Sequence, residues 1–227
     1  IDVGASIDWQ RSGSVQLLTD TCQYLLPNAT CDARVSIENS GNAVDSYEFT
    51  ITQVPTFVEA ELLLSTTEIE PNGIVELTLL NITANASAYA FELGDVVVEI
   101  RLLNTDTLVG IARIPVKIAP VIKWVFTDVV EEIDNQGRLS IAMTLRNEGN
   151  TADGLLVQLQ SSHSTDMSFI PPFIAIYEEN IEFPRSFEVS DIPIGYNFTV
   201  RAWVDLPIDQ LSNGTVWVNT SVRSQFE

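Results

Sequence analysis

The chain has 227 residues, of which 45% are hydrophobic, 31 are acidic and 11 are basic, giving a formal net charge of -20. This hydrophobic content is enough for a buried core and excludes a disordered chain. A strongly negative field excludes nucleic acid and anionic membrane surfaces as partners. No apolar run approaches the roughly 20 residues of a membrane helix, so we expect no direct membrane insertion in this segment.

The chain opens on an amphipathic segment in which apolar and polar or small residues alternate; the apolar positions are Ile1, Val3, Ala5, Ile7 and Trp9. A period of two is typical of a strand with one face on the core, so we predict a first strand at residues 1–10. Because the chain opens without Met or a signal-peptide pattern, we expect a mature or excised part of a longer protein. This strand either closes its own sandwich or completes a neighbour's sheet by donor-strand exchange, which would build a filament.

Cys22 and Cys31 lie close together in a turn-rich stretch that contains Pro27. Two thiols this close favour a local disulfide in an oxidising compartment. A metal site needs about four ligands, and the single histidine, His163, lies far along the chain. The two cysteines are too close in sequence for the inter-sheet bridge of antibody domains. We therefore expect the disulfide to brace an insertion peculiar to the first domain.

An internal repeat relates residues 32–53 to residues 140–161 by a shift of 108 positions. The shift superposes four pairs of turn residues: Asn39/Asn147, Gly41/Gly149, Asn42/Asn150 and Asp45/Asp153. On both sides of the turn, apolar residues alternate with polar ones, as in strands packed on a core. Gly and Asn tolerate a positive φ and close loops by side-chain hydrogen bonds, so the motif has a structural explanation.

Further echoes extend the repeat. Ile7-Asp8-Trp9 recurs as Ile122-Lys123-Trp124, the alternation from Val96 to Leu102 resembles that from Phe198 to Val204, and final strands are predicted from Ala112 to Ile118 and from Val216 to Val222. No stretch shows helical periodicity. The predicted fold is all-β, with two tandem immunoglobulin-like β-sandwich domains at 1–119 and 120–227.

The turn Asn-x-Gly-Asn-x-x-Asp between two amphipathic strands, at 39–45 and 147–153, resembles immunoglobulin-like domains of bacterial and archaeal surface proteins. The resemblance is to the cell-adhesion-related domain family and to the immunoglobulin-like domain family associated with alpha-galactosidases, and it covers both halves of the chain. It implies an extracellular spacer, an adhesion module or an accessory domain of a larger enzyme. It implies no catalytic residues.

Asparagine usage also indicates an extracellular or cell-surface location. The sequence Asn-x-Ser/Thr, the acceptor for N-linked glycans, occurs at Asn28, Asn81, Asn85, Asn197, Asn213 and Asn219. On the strand pattern Asn197 and Asn219 point outward, and Asn28, Asn85 and Asn213 fall in loops or turns, while Asn81 is ambiguous at a strand end. We predict a glycoprotein.

We do not expect an enzyme, because the sequence does not match the catalytic patterns considered. His163 lies in a polar loop without a Gly-x-Ser-x-Gly elbow, so a serine-type triad is not expected. The adjacent acids Glu131-Glu132 and Glu178-Glu179 would point to opposite faces of a strand rather than across a cleft. We expect no cofactor, with calcium the one ion to consider. Its candidate oxygen ligands lie near a turn: Asp128, Glu131, Asp134 and Asn135.

We expect a structural function, as a spacer or stalk segment of a cell-surface glycoprotein in a layer or filament. The alternatives are a carbohydrate- or protein-binding adhesin module and an accessory domain of a secreted hydrolase. Trp203 and Trp217, predicted on the wet side of their strands, either form an aromatic platform for sugar or cover a domain junction or core edge. The expected partners are other surface-protein domains or glycans, and an oligomer is a further option.

Overall fold

The computed structural model describes residues 9–18, 22–161, 167–170, 186–205 and 218–224, and each helix or strand assigned in these ranges is a β-strand. The prediction of an all-β chain is confirmed. Within the same ranges, no helix is long and apolar enough to cross a membrane. The chain divides into two compact units, residues 1–120 and 121–227, one residue after the expected boundary.

The first unit contains nine strands among its described residues: β1 (Gly13–Leu17), β2 (Gln23–Leu25), β3 (Thr30–Asn39), β4 (Asp45–Gln53), β5 (Val58–Leu62), β6 (Thr66–Ile69), β7 (Ile74–Ala84), β8 (Leu93–Leu102) and β9 (Thr107–Ile118). They form two sheets, ordered β1-β3-β7-β5 and β2-β9-β8-β4-β6. All pairs are antiparallel except β2 with β9. The first strand, β1, lies in one sheet and the next, β2, in the other. Two packed sheets with the leading strands divided in this way form an immunoglobulin-like sandwich.

The core of the first unit follows the alternation of the repeat. On β3, Val35 and Ile37 are fully buried. On β4, Tyr47 is fully buried and Phe49 almost so. The residues that alternate with them are exposed or partly exposed. Each such buried apolar side chain contributes about 1.5–3 kcal/mol. The predicted core faces of these strands are therefore confirmed.

The second unit contains seven strands among its described residues: β10 (Trp124–Ile133), β11 (Arg138–Asn147), β12 (Asp153–Ser161), β13 (Met167–Ile170), β14 (Ser186–Ile192), β15 (Asn197–Asp205) and β16 (Val218–Ser224). Its sheets are ordered β10-β11-β15-β13 and β14-β12-β16. The first corresponds strand by strand to β1-β3-β7-β5, and the second to β6-β4-β8.

This correspondence corrects the predicted pairing of the later strands. β15, which contains Phe198 and Val204, pairs with β11 and is the counterpart of β7, not of β8. β16 pairs with β12, so it is the counterpart of β8 rather than of the final strand β9. Alternation shows which face of a strand is buried but not which strand lies beside it, and the prediction failed for that reason.

The leading strands also differ from the prediction. Residues 1–8 lie outside the described part of the chain. Trp9 lies outside any strand with 71% of its surface exposed, and β1 begins only at Gly13. Gly13 pairs with Asn39 as Trp124 pairs with Asn147, so the counterpart of Trp124 is Gly13 and not Trp9.

Candidate functional site

The repeated turn holds the segment that leads into the first strand of each unit. The buried Asn39 donates from Nδ2 to the carbonyls of Ala43 and Ile69, at 2.8 and 2.9 Å, and its Oδ1 accepts the amide of Gly41 at 2.9 Å. Asn147 makes the same three bonds in the second unit, each at 3.0 Å. The side chain therefore satisfies three backbone groups that would otherwise be orphaned.

Glycine is needed in this turn because another backbone passes against it. A Cβ on Gly41 would lie 2.5 Å from the carbonyl oxygen of Gln10, and a Cβ on Gly149 would meet the carbonyl of Val121. Gln10 in turn donates its amide to Asn42 Oδ1 at 2.8 Å. Neither glycine has a positive φ, so the predicted conformational reason is wrong, while the predicted side-chain hydrogen bonds are present.

A buried acid completes each turn. Asp45 is fully buried, and its Oδ1 lies 3.1 Å from Nη1 of Arg11. Asp153 instead accepts a hydrogen bond at Oδ2 from Nε1 of Trp124, at 2.7 Å. Burial, together with the charge of Asp45, raises the pKa of Tyr47 to about 12. We call the Asn, Gly, Asn and Asp of each turn the clasp, because all four contact the leading segment or fix the turn against it.

The predicted disulfide is present between Cys22 and Cys31, which are both buried, and their Cα atoms lie 5.5 Å apart. Cys31 lies in β3 of the first sheet. Cys22 directly precedes β2, and its carbonyl accepts the amide of Lys117 in β9 of the second sheet. The bridge is local in sequence, as predicted, and it joins the two sheets where the chain crosses between them.

The asparagines of the predicted glycan acceptors differ in accessibility. Asn28, Asn197 and Asn219 are exposed. Asn85 is partly buried and donates to the Thr56 carbonyl at 2.9 Å. Asn81 lies within β7 and lines a shallow cavity of about 260 Å³. Asn213 lies outside the described residues.

The structure separates the calcium candidates. Asp128 pairs with Thr144 and Glu131 with the buried Ile141, which places the two acids on opposite faces of β10. Asp134 Oδ1 accepts the amides of Gln136 and Arg138, which lowers the pKa of Asp134 and closes the hairpin before β11. Asn135 follows in the exposed turn. Across the described ranges, no three His, Cys, Asp or Glu side chains converge as metal ligands would.

Trp203, one of the two tryptophans considered for an aromatic platform or for a cover of a domain junction or core edge, is not fully exposed. This ring is half-buried, and the guanidinium of Arg138 lies 4.4 Å from its centroid while it binds Asp205. Trp217 lies outside the described residues, as do His163 and the Glu178-Glu179 pair. Glu131 and its neighbour Glu132 lie on opposite faces of β10, as predicted.

A different aromatic surface lies at one end of the first unit. Tyr24 on β2 places its ring 5.0 Å from the Lys117 amine on β9, and Leu93 on β8 pairs with Lys117 from the other side. These three side chains form a row across the outer face of the second sheet, with Tyr24 64% and Leu93 70% exposed. Tyr89 and Phe91, also exposed, lie in the turn just before Leu93. We call these five residues the aromatic end.

Two residues of the aromatic end have strained backbones. Tyr24 and Phe91 have φ angles of 70° and 68°. Bulky side chains rarely adopt this left-handed conformation, which costs on the order of 1–3 kcal/mol and is concentrated at ligand-binding sites. Sequence periodicity could not find this surface, because the parallel pairing of β2 with β9 joins segments far apart in the chain.

Comparisons with known proteins give only distant likenesses. No protein-family model matches the chain, and no curated protein matches it. A protein of unknown function from Porphyromonas gingivalis W83 is similar at a TM-score of 0.33 and 12% identity, over 87% of this chain and 86% of that one. SSP-19, an MSP-domain protein-like family member from Caenorhabditis elegans, is similar at a TM-score of 0.29 and 14% identity, over 47% of this chain and 98% of that one. The YadV chaperone is similar at a TM-score of 0.29 and 11% identity, over 95% of this chain and 94% of that one. Because likeness at this level carries no functional information, the function must be inferred from this chain's own residues.

Proposed function

We propose that the chain is a non-catalytic spacer segment of an extracellular surface glycoprotein. The observation that carries this proposal is the exposure of three glycan acceptors, Asn28, Asn197 and Asn219, in a chain whose sheets are joined by the Cys22–Cys31 bridge. Disulfides persist in oxidising compartments, and N-linked glycans require an accessible asparagine. The family resemblance of the Asn-x-Gly-Asn turns to surface-protein domains supports the same function.

Glycopeptide mass spectrometry of the protein purified from its source tests this proposal. We expect glycans on Asn28, Asn197 and Asn219, and less modification of Asn81 and Asn85, which are partly buried. The two groups are internal controls for each other, since all five share the acceptor sequence. Unmodified asparagines together with alkylatable cysteines in the native protein would exclude an extracellular spacer.

The aromatic end favours a second candidate function, a carbohydrate- or protein-binding adhesin module. Tyrosines offer an apolar ring and a hydroxyl, which suits amphipathic ligands such as sugars, and Lys117 adds a donor beside Tyr24. Tyr24 and Phe91 have positive φ angles, and both side chains are exposed. An adhesin would use this surface, whereas a spacer would leave it without a ligand.

A glycan array separates the two functions. If the chain binds a glycan, Tyr24→Ser should remove the binding, while Tyr196→Ser, at another exposed tyrosine in the second unit, should not. That pattern would replace the spacer function with adhesion. If the chain binds no glycan on the array, the sugar-binding adhesin is excluded and the spacer stays the proposed function.

A further inference from the structure

Strand β9 has two roles in the first unit. Its residues Ala112, Ile114, Val116 and Ile118 are buried, and it hydrogen-bonds along β8. It also packs against β1 of the other sheet, since a Cβ on Gly110 would lie 3.1 Å from Val15 Cγ2. β9 therefore covers both the free edge of β8 and the inner face of β1.

The described part of the second unit holds no counterpart of β9. β16, the counterpart of β8, pairs with β12 on one edge, and no described strand pairs with its other edge. An edge that no other described strand occupies is the position at which a further strand can add.

The inner face of β10 is uncovered in the same unit. Phe126 pairs with the buried Leu145 and Val129 with the buried Met143, so both side chains point to the core side of their sheet. Even so, Phe126 is 52% and Val129 is 51% exposed. Their counterparts Val15 and Leu17 on β1 are partly buried against the core. Both open features of the second unit are thus the ones that β9 closes in the first.

We propose that the groove between β10 and β16 binds an extended polypeptide segment with the pattern of β9, in antiparallel pairing with β16. The segment carries small or β-branched apolar residues at four alternate positions, which would cover Phe126 and Val129. Backbone pairing supplies affinity, and the alternate side chains set the register.

Charge favours the same occupant. β9 carries Arg113 and Lys117 and no acid, and β10 carries Asp128, Glu131 and Glu132 and no base. Because Arg113 and Lys117 alternate with the buried residues of β9, such a segment would present its cations on the outer face of the sheet, and the attraction comes from the net charge of -20 of the whole chain.

The probe is a synthetic peptide with the sequence of residues 107–118, titrated into the full chain, with hydrogen exchange to locate it. We expect saturable binding that protects amides of residues 218–224 and leaves β8 unchanged. The same peptide with Ile114→Asp should bind at least about tenfold more weakly, because a charge would face the core. Protection of β8 instead, or equal binding of both peptides, would overturn the proposal.

Two variants at neighbouring positions test whether the inner face of β10 binds the peptide. Val129→Ser should weaken peptide binding about tenfold, whereas Val130→Ser, on the opposite face of β10 and also exposed, should leave it unchanged. Phe126→Ser is a second variant of the groove, and circular dichroism checks that each variant folds. Absence of binding to the wild-type chain, or equal effects of Val129→Ser and Val130→Ser, would show that no such segment binds here. A dimer that the peptide does not dissociate would assign the face to a second copy and overturn the proposal.

Discussion

The two units build the same first sheet and the same clasp but finish their second sheets differently. In the first unit the chain leaves the first sheet after Leu18, whose amide still donates to the carbonyl of Arg34 in β3, and β2 then pairs with β9 of the second sheet. In the second unit β10 stays beside β11 as far as Ile133, and among the described strands nothing corresponds to β2 or β9. The clasp is thus present in both units, together with the pairing of the first strand beside β3 or β11. The disulfide and β9 belong to the completion of the first unit alone.

Removing the central asparagine of the clasp is the strongest way to test that shared arrangement. Asn39→Ala and Asn147→Ala should each destabilise their own unit by about 3 kcal/mol, since two carbonyls and one amide lose their partner. Native-state hydrogen exchange of β3 and β11 measures the two units separately. Asn104→Ala, in an exposed turn, is the control. A loss in only one of the two clasp variants would show that the clasps are not equivalent.

Removing the disulfide should affect one unit only. The double variant Cys22→Ala and Cys31→Ala should lower the free energy of unfolding of the first unit by about 2–3 kcal/mol, through the loop entropy of so short a ring. Exchange in β11 should not change, because the second unit has no cysteine. A parallel loss in β11 would mean that the units do not unfold independently.

The buried acids differ in their partners, which Trp124→Phe tests. The variant removes the hydrogen bond to the carboxylate of Asp153 and should cost the second unit about 2 kcal/mol. Trp203→Phe, which leaves the clasp intact, is the matched control. If both tryptophan variants lower stability equally, ring packing rather than the bond to Asp153 explains the loss.

Alkaline pH should also separate the two units. Because the pKa of Tyr47 is raised from 10.0 to about 12, the folded state favours the neutral phenol. Its stabilisation is complete below pH 10.0 and is lost as the pH rises to about 12. The second unit has Leu155 at this position, so no phenol ionises there. Tyr47→Phe should flatten the decline of the first unit's unfolding free energy, and an unchanged slope would contradict the assignment.

The sequence predicted those parts of the fold that depend on local pattern. The alternation around Asn39 and Asn147 gave the core faces of four strands, and the spacing of Cys22 and Cys31 gave the disulfide. Pairing partners were missed, because alternation fixes which side of a strand is buried and not which strand lies beside it. The role of Gly41 was missed for a similar reason: the backbone of Gln10 that presses on it comes from another part of the chain.

The aromatic end was missed because it is assembled by pairing. Tyr24, Lys117 and Leu93 belong to three strands, and only the register of the second sheet brings them into one row. Trp203 shows the converse case. Its outward position was predicted from parity, but the stacking of Arg138 over the ring depends on the pairing of β11 with β15.

The Cys22–Cys31 bridge also determines how the first unit responds to tension. A pulling force that enters from the leading segment reaches Cys22 and passes through the covalent bond to Cys31 in β3. Residues 23–30, including β2, then carry no load, and on the order of 25 Å of chain cannot be drawn out. For the surface spacer proposed above, the bridge would keep these residues from being extended, and reduction of the disulfide would make them available for extension.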